Sequence, residues 1–194
     1  MLHIVYGGSA SGKSSYAESF AMSLQGEGRL LYIATMYPYK WNTTEIDPET
    51  MQRIKRHRAM RADKGFDTVE CYRHVEHIVA KRQDVLLLEC MSNLLANEMY
   101  LEPDSNVGSD VAETMSPVSK KIVQAIIDLS TRVQELVIVT NDVFSDGGSL
   151  TYDESTREYV KNLAEINCAL AREAATVTEI VCGIPVKIKG DKQP

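Results

Sequence analysis

The chain has 194 residues, 44% hydrophobic and 25% charged, with a formal net charge of −6. That is apolar material enough for one sizeable core, which excludes a disordered chain and a small disulfide-stapled scaffold. The excess of acidic over basic side chains, 27 against 21, argues against general adhesion to nucleic acid or to an anionic membrane surface.

Residues 2–6 (Leu-His-Ile-Val-Tyr) form a β-prone run that ends at Gly7-Gly8. From Lys13 onward Tyr16, Phe20 and Leu24 recur at helical spacing, and Gly26 and Gly28 stop the pattern. A second strand follows at 30–34. Strand, glycine loop, helix and strand make one βαβ unit, whose crossover implies a parallel sheet. Asp47-Pro48 opens a helix that runs to about Arg61 and closes at Lys64-Gly65. A short strand is expected at 68–72 and a short helix around 74–82. The unalternating run Val85-Leu86-Leu87-Leu88 reads as a central strand covered on both faces. Residues 91–100 are helical and 101–116 form a polar loop. Ser116-Pro117 starts the next helix, to about Gln134. A strand at 136–140, a loop at 144–152, a long amphipathic helix over 153–175 and two β-prone runs at 177–182 and 185–189 complete the chain.

The expected fold is therefore α/β: a mostly parallel central sheet flanked by helices, with a C-terminal antiparallel hairpin. One domain is expected over 1–190, with a tail at 191–194. No apolar run is long enough to span a bilayer, and Met1 leads into a strand-like segment rather than a secretory leader. Cys71, Cys90, Cys168 and Cys182 lack CxxC spacing and lie in or beside apolar segments. They read as reduced core thiols of a cytoplasmic protein.

Residues 7–14, Gly7-Gly8-Ser9-Ala10-Ser11-Gly12-Lys13-Ser14, satisfy G-x-x-x-x-G-K-[ST]. The motif has its required context, a strand before it and a helix after. Glycines let successive backbone N–H groups wrap an anion, and the helix N-terminus adds partial positive charge. Lys13 is expected to reach the β- and γ-phosphates of a nucleoside triphosphate, and the Ser14 hydroxyl to ligate Mg²⁺. The fold is thus P-loop NTPase-like. A second acidic anchor for the metal belongs at the end of a buried strand; Glu89 is the first candidate and Asp142 the other.

Residues 53–61 concentrate five of the 21 basic side chains around His57. On a helix, Arg53, His57 and Arg61 share one side. Like charges at that spacing repel unless an anion compensates, and polyphosphate would do so. Neighbouring cations disfavour imidazolium, which leaves a nitrogen lone pair available for attack on an α-phosphorus. A solvated basic helix carrying a bystander histidine is the alternative reading. His74 and His77 lie at i, i+3 without a completing ligand set, and His3 reads as a core-edge residue. Met22, Met36, Met91 and Met99 read as packing.

Several segments in this order resemble one family: Gly-Gly-Ser-Ala-Ser-Gly-Lys-Ser-Ser-Tyr-Ala-Glu (7–18), Tyr-Ile-Ala-Thr (32–35) and Arg-Ile-Lys-Arg-His-Arg (53–58). Leu-Leu-Glu-Cys (87–90), Val-Thr-Asn-Asp-Val (139–143), Ile-Asn-Cys-Ala-Leu-Ala (166–171) and Cys-Gly-Ile-Pro-Val-Lys-Ile-Lys-Gly (182–190) complete the series. The chain resembles the bifunctional adenosylcobinamide kinase / adenosylcobinamide-phosphate guanylyltransferases of cobalamin biosynthesis. The resemblance implies phosphorylation of adenosylcobinamide by ATP or GTP, then transfer of GMP from GTP through a guanylylated histidine. The family's histidine falls on His57, with Lys13 as the other catalytic residue. Ala34, Thr35, Met36, Arg58, Ala59, Met60, Arg61, Glu70 and Glu89 are the matching nucleotide-site positions, beside the phosphate loop itself. Ser14 and Glu89 are the implied Mg²⁺ ligands. The resemblance also implies a homotrimer with sites near subunit contacts and a corrinoid substrate; the acidic balance and single short basic cluster argue against a nucleic-acid partner, and the short apolar runs against a membrane span. The chain departs from the family pattern at 144–148 (Phe-Ser-Asp-Gly-Gly), at Phe66 where tryptophan is usual, and in the segments 37–47 and 101–116. A different small-molecule P-loop kinase, or a GTP-binding module without catalysis, are the competing readings.

Overall fold

In the computed structural model, residues 1–40, 43–101, 115–143 and 152–190 are described. Strand β1 (Leu2–Gly7) leads through the glycine loop into α1 (Lys13–Leu24), and then β2 (Leu30–Ala34), α2 (Pro48–Arg61) and β3 (Asp67–Glu70) follow. After these come β4 (Val85–Glu89), α3 (Met91–Tyr100), α4 (Pro117–Arg132), β5 (Glu135–Asn141) and α5 (Glu154–Glu173). Strands β6 (Thr176–Val181) and β7 (Ile184–Lys189) form the final hairpin. The seven strands among the described residues join one sheet in the order β3-β2-β4-β5-β1-β6-β7. Every pairing is parallel except β6 with β7. Among the described residues no helix is long and apolar enough to cross a membrane.

The βαβ unit at the start is parallel but not adjacent: β4 and β5 lie between β1 and β2. Two strands that come later in the chain thus occupy the middle of the sheet, where both faces are covered. Val85 and Leu87 face α1, packing with Val5, Ala17, Ala21, Val137 and Val139. Leu86 and Leu88 face the other side, against Leu94, Ile126, Leu129 and Ile166 of α3, α4 and α5. Double coverage explains why this run does not alternate.

Helix starts follow the caps visible in the sequence. Asp47 accepts the Glu49 N–H before Pro48, Ser116 accepts the Ser119 N–H before Pro117, and Asp153 accepts the Thr156 N–H. The expected helix at 74–82 is a single 3₁₀ turn, Val75–His77. Side chains capture the backbone there in place of a helical ladder: Glu98 takes the His74 N–H at 2.7 Å and Asp84 the Lys81 N–H at 2.8 Å. Strand β3 begins one residue earlier and ends two earlier than the apolar pattern indicates. Cys71 and Cys90 are half-buried, whereas Cys168 and Cys182 are exposed, so the reading of all four as core thiols does not hold. Cys168 lies off the Leu163, Ile166, Leu170 stripe of α5, and Cys182 sits in the β6–β7 turn. Met22 is likewise exposed. The expected loops at 101–116 and 144–152 and the tail at 191–194 fall mainly or wholly outside the described residues.

The starts of β2 and β4 are pinned together by Asp84, which is fully buried and accepts the Arg29 N–H at 3.0 Å and the Arg29 guanidinium at 2.5 Å. The strands approach so closely that a Cβ on Gly28 would lie 1.8 Å from the Gln83 carbonyl oxygen. Gly28→Ala is expected to cost about 3 kcal/mol of folding stability through this overlap. A denaturant titration checks it: the midpoint should fall while the slope stays that of the wild type.

Candidate functional site

Parallel strands bring their carboxyl ends to one edge, and β1, β2, β4 and β5 deliver Gly7, Ala34, Glu89 and Asn141 there. The loop after β1 wraps back on itself. Gly12 takes a left-handed conformation (φ 93°) at the N-cap of α1, a geometry that a side chain would strain. The β6–β7 turn braces the loop from outside, with the Gly183 N–H donating to the Ser11 carbonyl at 2.8 Å. Lys13 is buried, and its ammonium donates to the Gly8 carbonyl at 2.9 Å. Burial pushes the Lys13 pKa down, opposed by Cys90 and Glu89.

Ser14 and Glu89 come from neighbouring elements and meet directly. The Ser14 hydroxyl donates to Glu89 Oε1 at 2.5 Å, while among the described residues the buried Oε2 has no hydrogen-bond partner. Burial raises the Glu89 pKa, and the hydroxyls of Ser14 and Tyr32 and the Arg61 cation act in the opposite sense. An orphaned carboxylate oxygen beside a serine hydroxyl fits a hard cation such as Mg²⁺, which prefers oxygen ligands. Thr35 holds this strand end in place: its hydroxyl donates to the Cys90 carbonyl at 2.9 Å and accepts the Cys90 N–H at 2.7 Å. Asn97 ties the Thr35 carbonyl to α3.

Helix α2 supplies the other wall. Arg53, Ile54, Arg56, His57, Arg58 and Arg61 line one cleft of about 410 Å³, together with Ser9, Ala10, Lys13, Ala34, Met36, Glu70 and Glu89. The phosphate loop and the basic helix therefore face the same space. Arg61 is 5% exposed, with its guanidinium carbon 3.4 Å from the centroid of the Tyr32 ring. Its Nε and one terminal nitrogen are buried without hydrogen-bond partners among the described residues. A desolvated guanidinium with unused donors on a cleft wall suits a phosphate. His57 is half-buried and its pKa is lowered from 6.5, first by burial and then by Arg61 and Arg56. Neighbouring cations contribute as their spacing indicates, but desolvation is the larger cause.

Of the residues singled out from sequence, Ala59 and Met60 are exposed on α2 and are not among the cleft walls. Thr35 is buried and acts through Cys90 rather than lining the cleft. Asp142 does line it, and its carboxylate bonded to the Tyr6 hydroxyl helps raise the Tyr6 pKa to about 12, after the larger contribution of burial. Residues passed over in the sequence also belong to the cleft, notably Tyr32, Tyr72 and Asn141. Tyr32 read as core because it lies in an apolar strand. Asn141 donates to the Ser92 hydroxyl at 2.6 Å, and its one signal was its place at a strand end beside the phosphate loop. His3 is buried, bonded to Glu135 and Thr176. His74 and His77 stack at 5.6 Å, and among the described residues no group of metal-ligating side chains surrounds them.

The sequence matches the family described as cobinamide kinase / cobinamide phosphate guanyltransferase over residues 3–188. Comparison with curated proteins returns no match. Among solved structures, the flagellar accessory protein FlaH from Methanocaldococcus jannaschii is similar over 99% of this chain and 81% of that one. The identity is 14% and the TM-score 0.46. The P4 protein from bacteriophage phi6, in complex with ADP, is similar over 95% of this chain and 53% of that one, at 12% identity and a TM-score of 0.41. These two likenesses carry no statement about the site.

The orphaned donors of Arg61 predict its largest effect. Arg61→Ala is expected to weaken binding of a nucleoside triphosphate by about tenfold or more, and Arg61→Lys to restore only part of it, since lysine lacks the planar fork. Calorimetric titration of each variant with GTP, alongside circular dichroism to confirm folding, measures this.

Proposed function

We propose that the chain, which belongs to the cobinamide kinase / cobinamide phosphate guanyltransferase family, performs both transfers in this cleft. In the first, the aminopropanol hydroxyl of adenosylcobinamide takes the γ-phosphoryl group of ATP or GTP, and the nucleoside diphosphate leaves. In the second, an imidazole nitrogen of His57 attacks the α-phosphorus of GTP. A P–N bond forms, the bond from the α-phosphorus to the bridging oxygen breaks, and pyrophosphate departs. A phosphate oxygen of adenosylcobinamide phosphate then attacks the same phosphorus, the P–N bond breaks, and adenosylcobinamide-GDP is released with the imidazole restored.

The observation that carries this reading is the position of His57 on the cleft wall opposite the phosphate loop, with its proton disfavoured by burial and by Arg61 and Arg56. A neutral imidazole keeps its lone pair at neutral pH. Backbone N–H groups of residues 8–14 and the Lys13 ammonium hold the β- and γ-phosphates, while Arg61 and Arg58 face the charge that develops on the phosphorus under attack. Mg²⁺ would be held by Ser14 and Glu89, where it neutralises phosphate charge. The homotrimer belongs to the same proposal, and sedimentation velocity measures it.

Separating the two reactions tests the proposal. With adenosylcobinamide, ATP and GTP supplied together, His57→Asn is expected to accumulate adenosylcobinamide phosphate and to form no GDP-linked product. Lys13→Ala should slow the first step by about a hundredfold or more, as loss of a transition-state charge contact does. Formation of the GDP-linked product by His57→Asn at the wild-type rate would refute the nucleophilic role. Protonation removes the attacking lone pair, and the lowered pKa moves that loss downward. The rate of guanylyl transfer is therefore expected to stay level across neutral pH and to fall only below the ordinary imidazole value of 6.5.

A further inference from the structure

A second and larger hollow lies beyond Glu70 and Tyr72, along the outer edge of the sheet beside β3. It measures about 1430 Å³, against about 410 Å³ for the nucleotide cleft. Glu70 and Tyr72 line both spaces, so the two are continuous across one shared wall. That wall is organised: the Arg58 guanidinium donates to one Glu70 oxygen and the Tyr72 hydroxyl to the other at 2.8 Å.

Size and chemistry limit what the hollow can take. A small-ligand pocket usually spans ~300–1,000 Å³; the cleft falls in that range and is taken by the triphosphate, leaving no room for a bulky acceptor. The outer groove exceeds the range. Its lining mixes aromatic and aliphatic side chains with hydroxyls and imidazoles. Tyr37 and Tyr72 meet edge to face at 5.4 Å, the imidazoles of His74 and His77 stack at 5.6 Å, and Val79 is 87% exposed. Thr43 and Thr44 add hydroxyls. Its charged side chains are already neutralised, Glu70 by Arg58 and Arg73 by Glu98. Such a surface suits a broad, flat, uncharged-rimmed ligand with hydrogen-bonding amides at its periphery. A corrin macrocycle has that form, and a second nucleotide does not.

We propose that this groove is the acceptor pocket: it receives the corrin ring of cobinamide, while the aminopropanol arm crosses the Glu70–Tyr72 wall into the nucleotide cleft. The inference rests on the function proposed above, which names the acceptor without locating it. It accounts for two hollows of unequal size joined at a wall that carries Arg58, where the acceptor's phosphate arrives. Nothing in the nucleotide half-reaction requires the outer groove, so the two can be perturbed separately.

Val79 and Thr44 are exposed, line the groove and lie outside the cleft, so Val79→Trp and Thr44→Trp each fill it without touching the phosphate site. Both are expected to raise the KM for adenosylcobinamide about tenfold or more, as loss of binding to a bulky acceptor does. Their affinity for GTP, measured by calorimetry, should equal that of the wild type. If the wild type turns over adenosylcobinamide and neither tryptophan variant alters its KM, the groove is not the acceptor pocket and the reaction still stands. A tryptophan variant that changes the sedimentation coefficient and leaves the KM unaltered overturns the inference in favour of a contact between copies of the chain. A wild-type protein that binds GTP and never consumes adenosylcobinamide overturns the reaction and the groove together.

Discussion

Glu89 stands at the carboxyl end of β4, a position that water would solvate on an isolated strand, yet here it is 9% exposed. One oxygen is held by Ser14 and the other has no hydrogen-bond partner among the described residues. Leaving a carboxylate in that condition is unfavourable, and burial shows as a raised pKa. The surrounding fold maintains it. Thr35 grips the Cys90 backbone from β2, Asn97 anchors Thr35, and the phosphate loop brings Ser14 across β5 from the next strand but one. The sheet order makes this possible, because inserting β5 between β1 and β4 leaves space above it between the loop and the acid. In the proposed function, magnesium and triphosphate would occupy that space and give the Glu89 carboxylate its missing partner.

Helix α2 is stabilised on different terms. Its only fully buried residue is an arginine, and it has no apolar stripe of the kind that seats α4 and α5. Polar attachments hold it near the sheet: Arg61 lies over Tyr32, Arg58 pairs with Glu70, and Lys64 just beyond the helix pairs with the buried Glu18. Cations gathered on one side of a helix repel one another. The arrangement suits a site completed by an anion, and after burial the Arg61 and Arg56 cations also disfavour protonation of His57. Under the proposed function, substrate binding and preparation of His57 would share one source of charge.

Much of this was legible in the sequence because it is written locally. The glycine loop, the caps at Asp47, Ser116 and Asp153, and the doubly apolar run before Glu89 each carry their structural meaning within a few residues. The grouping of Arg53, His57 and Arg61 on one helix side is likewise a matter of period, and all three line the cleft. What escaped depends on contacts between distant segments. Insertion of β4 and β5 between β1 and β2 has no local sign. Tyr32 has the pattern of a core strand residue and only the fold places it under Arg61. The stretch 74–82 looked helical because its competitors, Glu98 and Asp84, lie elsewhere in the chain or at its far end. Neighbouring charge around His57 was visible, but the larger effect of its burial was not, since burial is created by the walls that assemble around it.

The account turns on a covalent bond between His57 and a guanylyl group, and intact-mass spectrometry reads that bond directly. Wild-type protein incubated with GTP and Mg²⁺, without acceptor, should gain the mass of one GMP. The gain should disappear on adding adenosylcobinamide phosphate, and His57→Ala should never show it. A folded, GTP-binding wild-type protein that gains no mass, or a His57→Ala variant that gains as much as the wild type, would contradict the account.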